Sequence, residues 1–231
     1  MKALPAAIVM LVLFAAVARA DYEDPPDGWS ANDMFTHASW EFGTDNETAF
    51  PENYTNAWGR PSADLGGDAF WIDDPTTYGV TTSRRGMWVV GDFTNARNGT
   101  LELTIPNASV RTDKFVWLQL TYLIAGVEGT EYTVSLGTDG GETIAVVPGS
   151  EVATEIDGEP NWFRYEKMWH IQPQPDEETI TATITVPGGA IFALDEADVD
   201  TICIPEPATL TLLAVATAGA ACLRRHRRRR R

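Results

Sequence analysis

Cysteine is nearly missing from this chain. Cys203 and Cys222 are the only two, and they flank a single apolar run near the C-terminus, which excludes a disulfide framework. The fold must therefore be held by its core. Histidine is almost as scarce: His37 and His170 are the only two before the C-terminal tail, and neither has a partner at a zinc spacing such as H-E-x-x-H. No G-x-S-x-G nucleophile turn is present, which removes the serine hydrolase pattern. Helical periodicity is missing too, since no stretch of ten or more residues keeps a 3.6-residue repeat outside the two termini.

Basic residues are scarce as well, a shortage hidden by the totals of 17 basic and 33 acidic residues. Lys2, Arg19 and seven arginines of the tail leave eight basic residues between Asp21 and Ile204, against 32 acidic ones, a net of −24. Polyanions bind through phosphate contacts to Lys and Arg, so nucleic acid and anionic lipid headgroups are excluded as partners of this body.

What is present begins with "MKALPAAIVMLVLFAAVARA". A basic Lys2, an apolar stretch and the small-residue ending Ala18-Arg19-Ala20 read as a signal peptide over residues 1–20, handing the chain to the general secretory machinery. Residues 21–34 are charged and proline-bearing, a flexible lead-in. From 35 to 203 the dominant period is two. Leu101, Leu103 and Ile105 alternate with polar residues in "TLELTIPN", and Ile180, Ala182, Ile184 and Val186 alternate with threonines in "TITATITV".

The run "KFVWLQLTYLI" is apolar on both faces and reads as a central strand. Further strands are expected at "SWEFG", "DAFWI", "GMWVVGDF", "EYTVSLG", "TIAVVPG", "NWFRYEKMWHI", "AIFALDE" and "VDTICI". Many short strands without helices predict an all-β antiparallel sandwich of jelly-roll type, with helices only in the signal segment and near the C-terminus.

Carboxylates are too abundant for a glycosidase pair to be picked out by eye. Calcium is the cofactor that the acidic loops would take, because it needs six to eight hard oxygen ligands. Asp45 and Glu47 in "GTDNE", and Asp195, Asp198 and Asp200 in "DEADVD", are the candidate ligands. On "NWFRYEKMWHI", Trp162, Arg164, Glu166, Met168 and His170 share the more polar face, which makes Trp162 the candidate ring for stacking on a sugar.

The chain closes with "IPEPATLTLLAVATAGAACLRRHRRRRR". The apolar run 208–223 would be about 24 Å long as a helix, thin for a hydrocarbon core of roughly 30 Å. Arg224, Arg225, Arg227, Arg228, Arg229, Arg230 and Arg231 form a stop-transfer cluster that stays cytoplasmic, so the acidic body lies across the membrane. Pro205-Glu206-Pro207, a short apolar run and a terminal arginine cluster, in that order, resemble the PEP-CTERM sorting signal over residues 204–231. The resemblance implies processing by an exosortase, a membrane cysteine protease and transpeptidase, with Pro205, Glu206 and Pro207 as the recognition triplet. It also implies transient residence in the inner membrane, followed by delivery to the cell envelope or extracellular matrix.

The body is loosely similar to the jelly-roll sandwiches of surface proteins and carbohydrate-binding modules. Three functions follow in order of preference: a non-catalytic bacterial surface or matrix protein, a polysaccharide-binding module of the envelope or exopolysaccharide matrix, and a secreted glycosidase.

Overall fold

A computed structural model describes residues 24–78, 84, 86–107 and 112–204. The signal segment, the sorting triplet, the apolar run and the arginine cluster lie outside the described residues. The strands are β1 (Phe35–Trp40), β2 (Thr48–Ala49), β3 (Asn53–Thr55), β4 (Ser62–Gly67), β5 (Phe70–Ile72), β6 (Met87–Val90) and β7 (Arg97–Pro106). They continue with β8 (Asp113–Gly126), β9 (Glu131–Thr138), β10 (Thr143–Val146), β11 (Val152–Glu155), β12 (Trp162–Gln172), β13 (Glu177–Val186) and β14 (Ala190–Ile204). The one helical element among the described residues is a 3-10 turn, Pro75–Tyr78.

All pairings are antiparallel and build two sheets. The larger runs β10-β12-β8-β14-β1-β3, with β11 also on β12, β6 also on β14, and β5 on β6. The smaller runs β2-β4-β7-β13-β9. Sheet-on-sheet burial explains the alternation in the sequence: Leu101, Leu103 and Ile105 of β7 and Ile180, Ala182, Ile184 and Val186 of β13 are buried, while Thr179, Thr181, Thr183 and Thr185 look outward. From the larger sheet, Val116, Leu118, Leu120 and Tyr122 of β8 and Ala197 and Val199 of β14 meet them. The space left beside Tyr122, Tyr132 and Phe192 is about 10 Å³, about what one water requires. That space is too small for a sugar or another organic ligand.

"AIFALDE" and "VDTICI", expected as two strands, are one strand of 15 residues. The pairing with β8 shifts between Leu194 and Glu196, leaving Asp195 as an extra residue. The bulge resets the alternation: Phe192 and Leu194 face the core before it, Ala197 and Val199 after it. Glu196, Asp198 and Asp200 are thereby turned to the outer face of the larger sheet, which is why the acid-rich stretch looked like a loop in the sequence. β2, β3, β4 and β11 were also not expected; they are short or carry little apolar alternation.

Candidate functional site

The outer face of the larger sheet carries most of the side chains with chemical potential. The register aligns His37 of β1, Asp200 of β14, Trp117 of β8 and Met168 of β12 in one row, and Ser39, Asp198, Gln119 and Glu166 in the next. His37 Nδ1 lies 2.9 Å from Asp200 Oδ1, and the Ser39 hydroxyl donates to Asp198. Asp198 and Asp200 are 2% and 1% exposed, and among the described residues Asp198 Oδ1 and Asp200 Oδ2 have no hydrogen-bond partner.

Burial pushes the Asp198 carboxyl up to about 7; the Ser39 hydrogen bond and the His37 charge oppose this, and the charges of Asp200 and Glu41 add to it. Burial by itself would lower the His37 value, but its bond to Asp200 and the charges of Asp200 and Asp198 raise it overall.

Asp195, on the bulge, is held by Arg84. The Arg84 guanidinium donates to Asp195 Oδ2 and, through Nε at 3.0 Å, to Glu159 Oε2. It also covers the Trp162 ring, with Cζ 4.4 Å from the ring centroid. Trp162 is 1% exposed and packs with Met87, Val89, Leu123, Ile191 and Ala193. The expectation of a sugar-stacking ring at Trp162 is therefore corrected: the ring is on the outer face, but this apolar cluster and Arg84 occupy its surfaces.

Asp45 and Glu47 are exposed on the loop between β1 and β2. Among the described residues no three His, Cys, Asp or Glu side chains are grouped to hold a metal ion. The candidate calcium ligands are thus split between an exposed loop, an ion pair with Arg84 and a buried row on β14, and no single donor set gathers them.

The rest of the polar face of β12 is half-exposed at Arg164, Glu166, Met168 and His170. The His170 ring stacks on Phe115 with centroids 4.7 Å apart and planes 20° apart, and its Nε2 lies 3.1 Å from Asp113 Oδ2. At the other end of the face, Thr154, Glu155, Ile156, Asp157 and Arg164 line a surface cavity of about 290 Å³. The turn from β11 into β12 shapes it. There Asn161 adopts a φ of 68°, and its amide donates to Glu155 Oε1. The stack was missed in the sequence because Phe115 and His170 are 55 residues apart and only the β8–β12 register joins them.

The far end of the sandwich holds a buried ion pair that joins the sheets. Lys114 Nζ of β8 donates to Glu178 Oε1 of β13 at 2.6 Å and to Asn107 Oδ1, while Asn107 Nδ2 donates to Glu178 Oε2. Cys203 is buried beside this pair. Burial pushes its thiol up, so it is a packing residue and not a thiolate. Here β14 ends at Ile204, and the chain continues directly into Pro205-Glu206-Pro207.

Residues 204–230 match the family of the PEP-CTERM protein-sorting motif. The chain carries a PEP-CTERM sorting motif. That motif implies an exported protein, anchored in the membrane before processing by an exosortase. Among the described residues no helix is long and apolar enough to cross a membrane, and the apolar run of the PEP-CTERM signal lies outside them. No curated protein matches the chain. Three solved chains do, among them the structure of TmCBM61 in complex with β-1,4-galactotriose, at 13% identity over 62% of this chain and 88% of that one, with a TM-score of 0.38. The likeness is one of loose sandwich shape, and no ligand follows from it.

Proposed function

We propose that the protein is a non-catalytic surface or matrix protein, displayed in the envelope or extracellular matrix once an exosortase has acted on its sorting motif. The observation that carries this reading is the continuity of β14 with the motif: the folded body is the cargo and nothing intervenes between the two. The acid row supports a structural role for β14, because Asp198 and Asp200 bond to Ser39 and His37 across the β1–β14 pair and are closed to solvent. Replacing Pro205, Glu206 and Pro207 by alanine in an exosortase-bearing host should leave the precursor anchored and unprocessed. Maturation to the normal size would overturn the reading.

Polysaccharide binding is the second reading, favoured by the half-exposed Phe115–His170 stack in line with the Arg164 cavity. Arg164 and His170 lie six positions apart on β12, about 20 Å of strand, enough to support several sugar rings of an extended chain. The net charge of −24 points to a neutral polymer, since uronate or sulfate chains would be repelled. In affinity electrophoresis through soluble neutral glucan, galactan and mannan, retardation that F115A and H170A abolish would support it; unretarded migration in all three would remove it.

A further inference from the structure

Lys114 stands where the alternation of β8 calls for an apolar residue. Val116 and Leu118 follow it on the inner face, its neighbours in register are Ile171 and Cys203, and it is 0% exposed. Glu178 has the same standing on β13: it precedes Ile180 and Ala182 on the inner face, pairs with Ile105 and is also 0% exposed. The two sheets thus meet here through opposite charges. Asn107, just past the end of β7, is 8% exposed, and its backbone amide donates to the Asp176 carbonyl at 2.9 Å, which fixes it beside the start of β13.

The three side chains form a closed ring. Lys114 Nζ donates to Glu178 Oε1 at 2.6 Å and to Asn107 Oδ1, while Asn107 Nδ2 donates to Glu178 Oε2. Contact with Oδ1 brings Nζ against the Asn107 amide carbon, which lies one C=O bond of about 1.2 Å beyond that oxygen. One carboxyl therefore touches both an amine poised at the amide and the nitrogen that the amide would lose. Burying an amine does not require such a ring. Lys167 Nζ is satisfied by the Val134 carbonyl at 2.9 Å and by Glu151, whose carboxylate reaches out to solvent.

We propose that Lys114 and Asn107 become joined by an isopeptide bond, with Glu178 as the catalytic base and acid. One proton passes from the Lys114 ammonium to Glu178 Oε1 and leaves a neutral amine, whose lone pair attacks Asn107 Cγ. As the tetrahedral centre collapses, Glu178 gives a proton to Nδ2 through Oε2 and takes a second proton from Nζ at Oε1. The Cγ–Nδ2 bond breaks and the new Nζ–Cγ bond remains. The ammonia takes one more proton from Glu178 and departs as ammonium, so the carboxylate is restored and no oxidant or reductant is needed. Fixed neighbours of this kind react as though at about 10⁵–10⁸ M, and burial keeps bulk water from competing for the amide. Because β8 belongs to the larger sheet and β7 to the smaller, the bond ties the sheets together at the end where β14 leaves the sandwich. It serves where a disulfide serves in other exported domains.

The full chain is purified, denatured and digested with trypsin, and the peptides are weighed by mass spectrometry. Trypsin does not cut after a lysine whose amine is acylated, so the expected product is peptide 98–111 joined to peptide 112–164, lighter than their sum by one ammonia. E178Q and N107A should instead yield 98–111, 112–114 and 115–164 as separate peptides, with the melting temperature of each variant reporting whether the body folds. Free 98–111 and a cut after Lys114 in the folded wild type overturn the proposal, whether or not either variant folds. A linked peptide from E178Q at wild-type yield overturns it as well, because the protons would then be carried without the carboxyl.

Discussion

His37 Nδ1 and Asp200 Oδ1 stand 2.9 Å apart across the β1–β14 pair, and two residue pairs further along, on the same face, Asp198 takes the Ser39 hydroxyl. A carboxylate chemistry that looked in the sequence like a cation site is, in the fold, part of the seam between two strands. The seam contains more acid than its partners can neutralise, since Asp198 Oδ1 and Asp200 Oδ2 are buried without hydrogen bonds among the described residues. Protonation is the available relief.

The first prediction follows from that proton. Burial holds the Asp198 carboxyl at about 7 in the folded protein, well above the ordinary aspartate range, so the folded protein keeps a proton that the unfolded chain releases. Stability should therefore fall as pH rises from about 4 to about 7 and level off above. His37, raised by Asp200, adds stability that is complete below its unfolded value and is lost as pH rises through the folded one, the same direction. D198N mimics the protonated carboxyl. Melting curves at pH 5 and pH 8 should show D198N more stable than wild type at pH 8, with the difference shrinking by pH 5; equal pH slopes would remove Asp198 as the source.

The second prediction concerns the pair that closes the exit end. Lys114 and Glu178 are both 0% exposed, so K114M leaves a buried carboxylate with only Asn107 for company. A loss of about 3–5 kcal/mol is expected for breaking a buried pair from one side, and K114M/E178L should recover much of it by removing both charges. Urea denaturation of the single and double variants measures this. A double variant as unstable as the single one would mean that the pair itself, and not the orphaned charge, supplies the stability.

The sandwich was legible in the sequence where one face of a strand is wet and the other dry. β7 and β13 satisfy that condition, so Leu101, Leu103 and Ile105, and Ile180, Ala182 and Ile184, could be read off directly. β14 fails it, because both of its faces are covered and the bulge at Asp195 changes the phase in mid-strand. Trp162 was placed on the correct face, but a face is not an exposure. Arg84, 78 residues earlier in the chain, covers it, and nothing local announces that contact. The Phe115–His170 stack is equally non-local. The sorting motif is legible because its order of triplet, apolar run and arginines is written in consecutive residues.

The third prediction tests the corrected role of Trp162. W162A removes a ring packed on Leu123, Ile191 and the Arg84 guanidinium, and should cost about 3–5 kcal/mol in urea denaturation, as core Trp-to-Ala changes do. A sugar platform predicts the opposite pattern, with stability little changed and glycan retardation lost. Denaturation and affinity electrophoresis on the same variant therefore decide between the two.

The fourth prediction concerns metal and salt. With 32 acidic against eight basic residues, the body repels itself, and salt screens that repulsion beyond a Debye length of about 10 Å at 0.1 M. Its melting temperature should rise with sodium chloride. Calcium would add to this only if one set of oxygens met it in the folded state, by mass action on that state alone. The candidate ligands are divided: Asp195 is engaged by Arg84, Asp198 and Asp200 are closed to solvent, and Asp45 and Glu47 stand on an exposed loop. Calcium and magnesium chloride at matched ionic strength should then raise the melting temperature equally. A larger rise in calcium, abolished by D45N/E47Q, would show instead that the β1–β2 loop closes around the ion.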